Sequence, residues 1–268
     1  MSSLAPLQCA RAGGVTALIL DRPAVGHALS AELVAALDDA IDTALSDPTA
    51  HTLVLMAAGK HFCTGFDLTD LEQASDADLM ERFIRIELLL QKLWHAPVQT
   101  VAIAQGRCWG AGADLFAACD QRVLTAQTTL RFPGAAFGIV LGSRRLALRV
   151  GPVRARALIA GGMELDASTA VHWGLATELI ETPLDLEAPA DPAARLARWS
   201  AHLPPPPVVD RPSFEQIRKA TLRALDPQFD ASSDGDLAAL VRSAARPGLR
   251  DRLVRYRERV RSSRAKVA

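Results

Sequence analysis

The chain has 268 residues, 49% of them hydrophobic and 22% charged, enough apolar content to bury a substantial core in one domain or a core with an appendage. Thirty basic residues balance thirty acidic ones, so no net field favours a nucleic acid or an anionic membrane surface as partner. Cys9, Cys63, Cys108 and Cys119 show no C-x-x-C spacing, which fits a reduced compartment better than a disulfide framework or a zinc site.

Taken in chain order, "MSSLAPLQCARAGG" lacks the basic-then-apolar order of a signal peptide, and no later apolar run reaches membrane-spanning length, so a cytoplasmic location is expected. "GVTALILDRP" (14–23) is a short apolar run stopped by Pro23, a strand. Ser30 is a candidate N-cap for a helix in which Leu33, Leu37, Ile41 and Leu45 recur at helical spacing and Asp47-Pro48 ends the run. "HTLVLMAA" (51–58) is a second strand, followed by the glycine-punctuated loop "GKHFCTGFDL" (59–68). Residues 76–94 form an amphipathic helix with Leu79, Phe83, Ile86, Leu90 and Leu93 on one face, closed by Pro97. "QTVAIAQG" (99–106) is a third strand, which leads into the small-residue stretch "GAGADLFAACD" (110–120). "QRVLT" is a fourth strand, "GPVRARALIA" and "DASTAVHWGL" are short helices, and "TELIE" is a last strand. This alternation predicts an α/β fold with largely parallel sheets. "ETPLDLEAPADP" (181–192) is a connector. Beyond it residues 193–203, 213–225 and 236–262 are helical, broken by "PPPP" and "RPG". The expected division is a core over 1–190 and a helical region over 191–268.

The common catalytic motifs are absent: no P-loop, no G-x-S-x-G elbow, no histidine pair at metal spacing, and Gly110-Ala-Gly112 is too short for a dinucleotide fingerprint. Two loops stand out, Phe62 to Asp67 and Gly106 to Asp114, each between a strand and a helix where α/β folds build sites. Glycine there can turn backbone N–H groups outward. Two such groups converging on one oxygen make an oxyanion hole; otherwise the loops are tight turns.

Four segments then resemble one family. "GKHFCTGFDL" is similar to G-x-x-F-C/S-A/S-G-x-D-L of the enoyl-CoA hydratase/isomerase (crotonase) family, and "QGRCWGAGADLFAACDQRV" to its N-G-x-A-x-G-G-G-x-E-L-x-x-x-C-D-x-R. "LILDRPAVGHALSAEL" resembles the upstream L-N-R-P-x-x-x-N-A-L, and "LALRVGPVRARALIAGGMELDASTAVHWGLATELI" the downstream R-L-x-R-x-V-G…G-L-V. Together they span about residues 14–181 in the family's order. The resemblance implies a crotonase-like spiral of β-β-α units with a helical C-terminal region that trimerises, as a homotrimer or a dimer of trimers. It implies an acyl-CoA or acyl-carrier-protein thioester as partner, no cofactor beyond coenzyme A as part of the substrate, and no metal.

Residue by residue, the resemblance puts the oxyanion N–H groups at Phe66 and Ala111, with the helix beginning near Gly112 aimed at the thioester oxygen. It puts the coenzyme A segment at Arg22 to Ala28, where His27 replaces the usual Asn. Phe62, Gly65, Asp67 and Gly110 belong to the same substrate loops, and Trp109 and Arg131 flank the expected pocket. Arg131 either binds a substrate carboxylate or lies at the surface, and Trp109 either shapes the pocket or packs. Asp67 and Asp120 are structural candidates, and Asp70 a less central pocket candidate.

The acids depart from the family. A hydratase of this family uses two glutamates. The first falls on Asp114, as in the family's dienoyl-CoA isomerase branch. The second, in F-G-x-P-E, aligns with Gly134, as in its naphthoate synthases. No Asp or Glu lies between Asp120 and Glu164. A single carboxylate with an oxyanion hole suits a double-bond isomerase ahead of a decarboxylase or hydrolase, and these ahead of a simple hydratase. The alternative is an inactive acyl-CoA-binding or scaffold protein of the same fold. Arg242 to Lys266 holds ten basic residues against two acidic ones, either a solvated helix face or a contact for coenzyme A phosphates.

Overall fold

The computed structural model describes residues 5–181, 191–226 and 232–265. The connector expected at 181–192 therefore lies mostly outside the described residues, as does Lys266. The chain opens on a hairpin. β1 (Leu7–Ala12) pairs antiparallel with β2 (Val15–Leu20) over Gly13-Gly14, both at positive φ (54° and 79°). β1 is absent from the expected elements because "LQCARA" has neither a β-branched residue nor a clear alternation; full-length pairing with β2 holds it.

α1 (Ala31–Ser46) starts where Ser30 accepts a hydrogen bond from the Leu33 N–H, as its sequence predicts. β3 (Thr52–Ala57) and α2 (Asp76–Trp94) follow, α2 opening on a reciprocal Ser75–Asp78 capping box. β4 (Gln99–Ala104), β5 (Arg107–Trp109), α3 (Ala111–Ala118), β6 (Gln121–Thr125) and β7 (Thr129–Arg131) come next. A 3-10 turn over Pro133–Phe137 leads to α4 (Ser143–Val150) and α5 (Pro152–Ile159), then β8 (Leu165–Asp166), α6 (Ala167–His172) and β9 (Glu178–Ile180). The remaining helices are α7 (Pro192–Trp199), α8 (Arg211–Leu225), α9 (Ser232–Ala244) and α10 (Leu249–Ala265).

One six-stranded sheet runs β1-β2-β3-β4-β6-β9, parallel throughout except for the β1–β2 hairpin. Parallel neighbours need crossovers, which α1, α2 and α3 supply. A second sheet, β5-β7-β8, continues through the isolated bridges Cys63–Cys108 and Leu29–Phe66. After each of β2, β3, β4 and β6 the chain visits this second ladder before its next helix. That is a spiral of β-β-α units. The main core lies under α1, α2 and α3, with Leu37, Phe83, Leu90 and Phe116 at 2% exposure or less. The opposite face of the large sheet is covered by Leu196 and Trp199 of α7, which therefore packs on the core rather than apart from it.

Candidate active site

The two glycine loops meet. Gly65 (φ +94°) lies so close to Gly110 and Ala111 that a Cβ there would stand 2.9 Å from the Trp109 carbonyl oxygen and 3.2 Å from the Ala111 nitrogen. Gly110 (φ +56°) precedes α3 and makes Ala111 that helix's first residue. Among the described residues, the N–H groups of Phe66 and Ala111 have no hydrogen-bond acceptor. Buried N–H groups are rarely left so. Both residues line one cleft, partly open to solvent.

The first loop is held from behind by the segment that ends in Leu29. Arg22 forms an ion pair with Asp67 (2.9 Å) and also donates to the Ala28 carbonyl. Asp67 further accepts from the N–H and hydroxyl of Thr69. His27 is buried at left-handed φ (+54°), a conformation costly for a non-glycine residue. Its Nδ1 accepts from the Arg22 N–H (2.9 Å), so its Nε2–H donates to the Ala58 carbonyl (2.6 Å). Burial lowers the imidazole to about 4, which keeps it neutral at pH 7.

The cleft wall is mostly apolar and aromatic: Phe83, Phe132, Phe137, Ile139, Leu141 and Ile159. Phe66 stacks on Phe83 with ring centroids 4.1 Å apart, and the Arg82 guanidinium lies 4.4 Å over the other side of Phe66. Tyr256 reaches the cleft from α10, with its ring 4.9 Å from Phe137. Asp114, on the first turn of α3, is the only carboxyl among the described cleft-lining residues. It is 6% exposed, and no hydrogen bond from a described residue reaches its carboxyl group. Burial pushes that carboxyl well above the usual carboxylate range; the Arg145 cation opposes the rise and Glu87 adds to it. Gly142, the residue before α4, touches the carboxyl so closely that any Cβ there would overlap Oδ1.

Of the residues expected at the site, Phe66, Gly110, Ala111, Asp114 and Gly134 line the cleft. Gly134 lies on the 3-10 turn and brings no side chain. Gly65 shapes the loop behind Phe66. Arg22, Ala28 and Asp67 are one layer back, in the Arg22–Asp67 clasp. Phe62 is fully buried against Phe116, edge to face at 6.5 Å. Trp109 lies between the Arg107 and Arg131 guanidiniums, and Arg131 is paired with Glu164 at 3.7 Å on the surface; neither Trp109 nor Arg131 lines the cleft. Asp70 is exposed and paired with Arg82. Asp120 accepts from Thr100 and Arg218, tying α8 to the core. From the basic run, Arg252 and Arg259 donate to the carbonyls of Phe137 and Ala136, and Arg257 pairs with Glu72.

Sequence reasoning missed Glu87 and Arg145. Both are 1% exposed, on α2 and α4, and they form an ion pair of 2.6 Å. Glu87 is four residues after Phe83 and three before Leu90, so it falls inside the apolar stripe of α2. A charge at that position needs a buried partner, and that is the signal the sequence carries for this pair.

A group of three or more His, Cys, Asp or Glu side chains able to hold a metal is absent among the described residues. Nor is any described helix long and apolar enough to cross a membrane.

The family model described as enoyl-CoA hydratase/isomerase matches residues 10–198. A Mycobacterium tuberculosis protein named "Probable enoyl-CoA hydratase echA6" is 35% identical over 190 residues, covering 70% of this chain and 75% of its own. A Streptococcus mutans protein named as a trans-2-decenoyl-acyl-carrier-protein isomerase is 32% identical over 199 residues, covering 70% and 74%. The crystal structure of a Bordetella parapertussis protein named "putative enoyl-CoA hydratase/isomerase" superposes with a TM-score of 0.79 at 38% identity over 94% of this chain and 98% of that one. Fold, cleft and sequence agree: the chain belongs to the enoyl-CoA hydratase/isomerase (crotonase) family of enzymes.

Proposed function

We propose that the protein moves a double bond along an acyl thioester, with Asp114 as the sole acid/base. The observation that carries this reading is one unpaired carboxyl and two unpaired N–H groups lining the same mostly apolar cleft. The thioester oxygen would accept from Phe66 and Ala111 N–H, at the positive end of α3. Ionised Asp114 takes a proton from the α-carbon of a 3-enoyl thioester, and the electron pair shifts onto the thioester oxygen as a dienolate. The same carboxyl returns the proton at the γ-carbon, leaving the 2-enoyl product with no water consumed. A raised proton affinity suits a group that must both take and give. Gly134 leaves no second carboxyl to activate water, which ranks hydration below isomerisation and below decarboxylation or hydrolysis.

The carrier is coenzyme A or the phosphopantetheine arm of an acyl carrier protein; the carrier-protein relative supports the second. No cofactor beyond that carrier enters the reading. The region after residue 191 serves assembly into trimers or pairs of trimers and completes the acyl site. The position of Tyr256 in the cleft wall supports the latter role.

The test is turnover of 3-enoyl, 2-enoyl, malonyl and hydroxyacyl thioesters in D2O. Interconversion of the 3- and 2-enoyl forms with deuterium incorporation is expected, slowed about 10²- to 10⁴-fold in Asp114→Asn. Binding of acyl-CoA without turnover of any of these, and Asp114→Asn equal to wild type, would instead favour an inactive acyl-CoA-binding protein or scaffold, the reading that the missing second carboxylate supports.

A further inference from the structure

We propose that Glu87 is a positioning residue for Asp114: through the Arg145 guanidinium it shares with Asp236, it sets how tightly the cleft carboxyl holds its proton. This rests on the acid/base role just given to Asp114. α3, which carries Asp114, packs against both α2 and α4. Glu87 comes from α2, and Arg145 from the first turn of α4, directly after the Gly142 that touches the Asp114 carboxyl. Both ends of the Arg145 guanidinium are taken, Nη2 by Glu87 Oε2 (2.6 Å) and Nη1 by Asp236 Oδ2 (3.0 Å). Its Nε is buried without an acceptor among the described residues. The other Glu87 oxygen accepts from Gln91 (3.0 Å). Asp236, on α9, is also bonded by Arg144, which pairs with Asp226 as well.

The Arg145 guanidinium, the cation whose charge acts on Asp114, is thus committed through both Nη atoms to two other carboxylates. An ionised Asp114 would add a further negative charge to a dry region whose guanidinium already serves two. The other titratable groups facing Asp114 do not relieve this. From β5 comes the buried Cys108 thiol, itself pushed well above the ordinary thiol range, and across the cleft stands Tyr256. The remainder of α3 bears no charged side chain. Glu87 and Asp236 therefore hold Arg145 in place and oppose its charge.

Glu87→Gln keeps the shape and an oxygen for Arg145 but removes the negative charge. Asp114 then loses a repelling neighbour and faces a less neutralised Arg145, so both effects lower its proton affinity. The expected result is a shift of about one pH unit toward acid in the limb of the kcat/KM profile assigned to Asp114. A second readout needs no substrate: the carbonyl stretch of protonated Asp114, isolated by difference from Asp114→Asn, titrated in the unliganded protein. It should move by the same amount, and Asp236→Asn, which also frees Arg145, should move it less in the same direction. A folded Glu87→Gln whose Asp114 titration is unmoved overturns the proposal, even if the variant is less stable. If Glu87→Gln does not fold, Asp236→Asn decides on the same terms. A shifted titration in a protein that turns over none of the thioesters keeps this inference and defeats the isomerase reading; turnover with an unmoved titration does the reverse.

Discussion

His27 occupies a left-handed backbone position with both ring nitrogens bonded inside the fold, and this makes acid a specific threat to the segment behind the Phe62–Asp67 loop. Its folded-state value is about 4, against roughly 6.5 when unfolded. Between these limits the unfolded chain binds a proton that the fold refuses, so stability is full above pH 6.5 and falls as pH drops toward 4. The loss is expected to reach about 3 kcal/mol. Denaturant unfolding at pH 7 and pH 4.5 should show it in wild type and less in His27→Asn, since Asn also tolerates left-handed backbone. Parallel losses in both proteins would mean that His27 is not held neutral. At this scale the site was partly legible: the acid at Asp114 and the glycines at 65 and 110 stand in recognisable spacings. The Glu87–Arg145 pair was not read, because a lone Glu in a Leu-rich helix passes for its polar face until the helical phase is counted. Nor does spacing show that Trp109 and Arg131 stack on each other away from the cleft.

α3 is the element on which the chemistry would turn. Its first residue offers an N–H to the cleft while its fourth offers a carboxyl, so one short helix supplies both a donor and an acid/base. Proline fits the first position of a helix, because the N–H lost there has no partner within the helix. Ala111→Pro should therefore leave the helix in place and delete one oxyanion donor. A fall in kcat of about 10²- to 10³-fold is expected, with acyl-CoA binding largely kept. Unchanged kcat in a folded variant would remove Ala111 from the site. The long elements were legible because their periodicity is: α2 spans Asp76–Trp94, the range its apolar stripe predicts. β5, β7 and β8 were not, at two or three residues each, too short for any alternation to register. α4 is not legible as a helix either, since its "SRRLALRV" owes its place to arginines that find partners only in three dimensions: Asp236, Glu87 and the C-terminal carbonyls of α3.

For the whole molecule, the tail helices are part of the same packed body as the core. α7 covers the outer face of the large sheet, α8 is pinned through Arg218 to Asp120 and the Trp94 carbonyl, and α9 and α10 pack on α2. Leu253 of α10 is fully buried in the main core. Leu253→Ala is expected to cost about 2–5 kcal/mol and to lower the melting of the entire chain in one transition. A separate early transition, with the core melting unchanged, would show the tail to be an independent unit. The cleft wall itself runs from Thr64 to Tyr256. At ordinary rates of synthesis, roughly 10–40 s separate the appearance of those two residues on a ribosome. Through most of that interval the emerging chain carries Phe66, Phe83 and the two glycine loops without the helix that completes the cleft wall. No partial product can thus hold the complete cleft wall, and the aromatic residues that line it stay open to whatever chaperones attend the chain until α10 arrives.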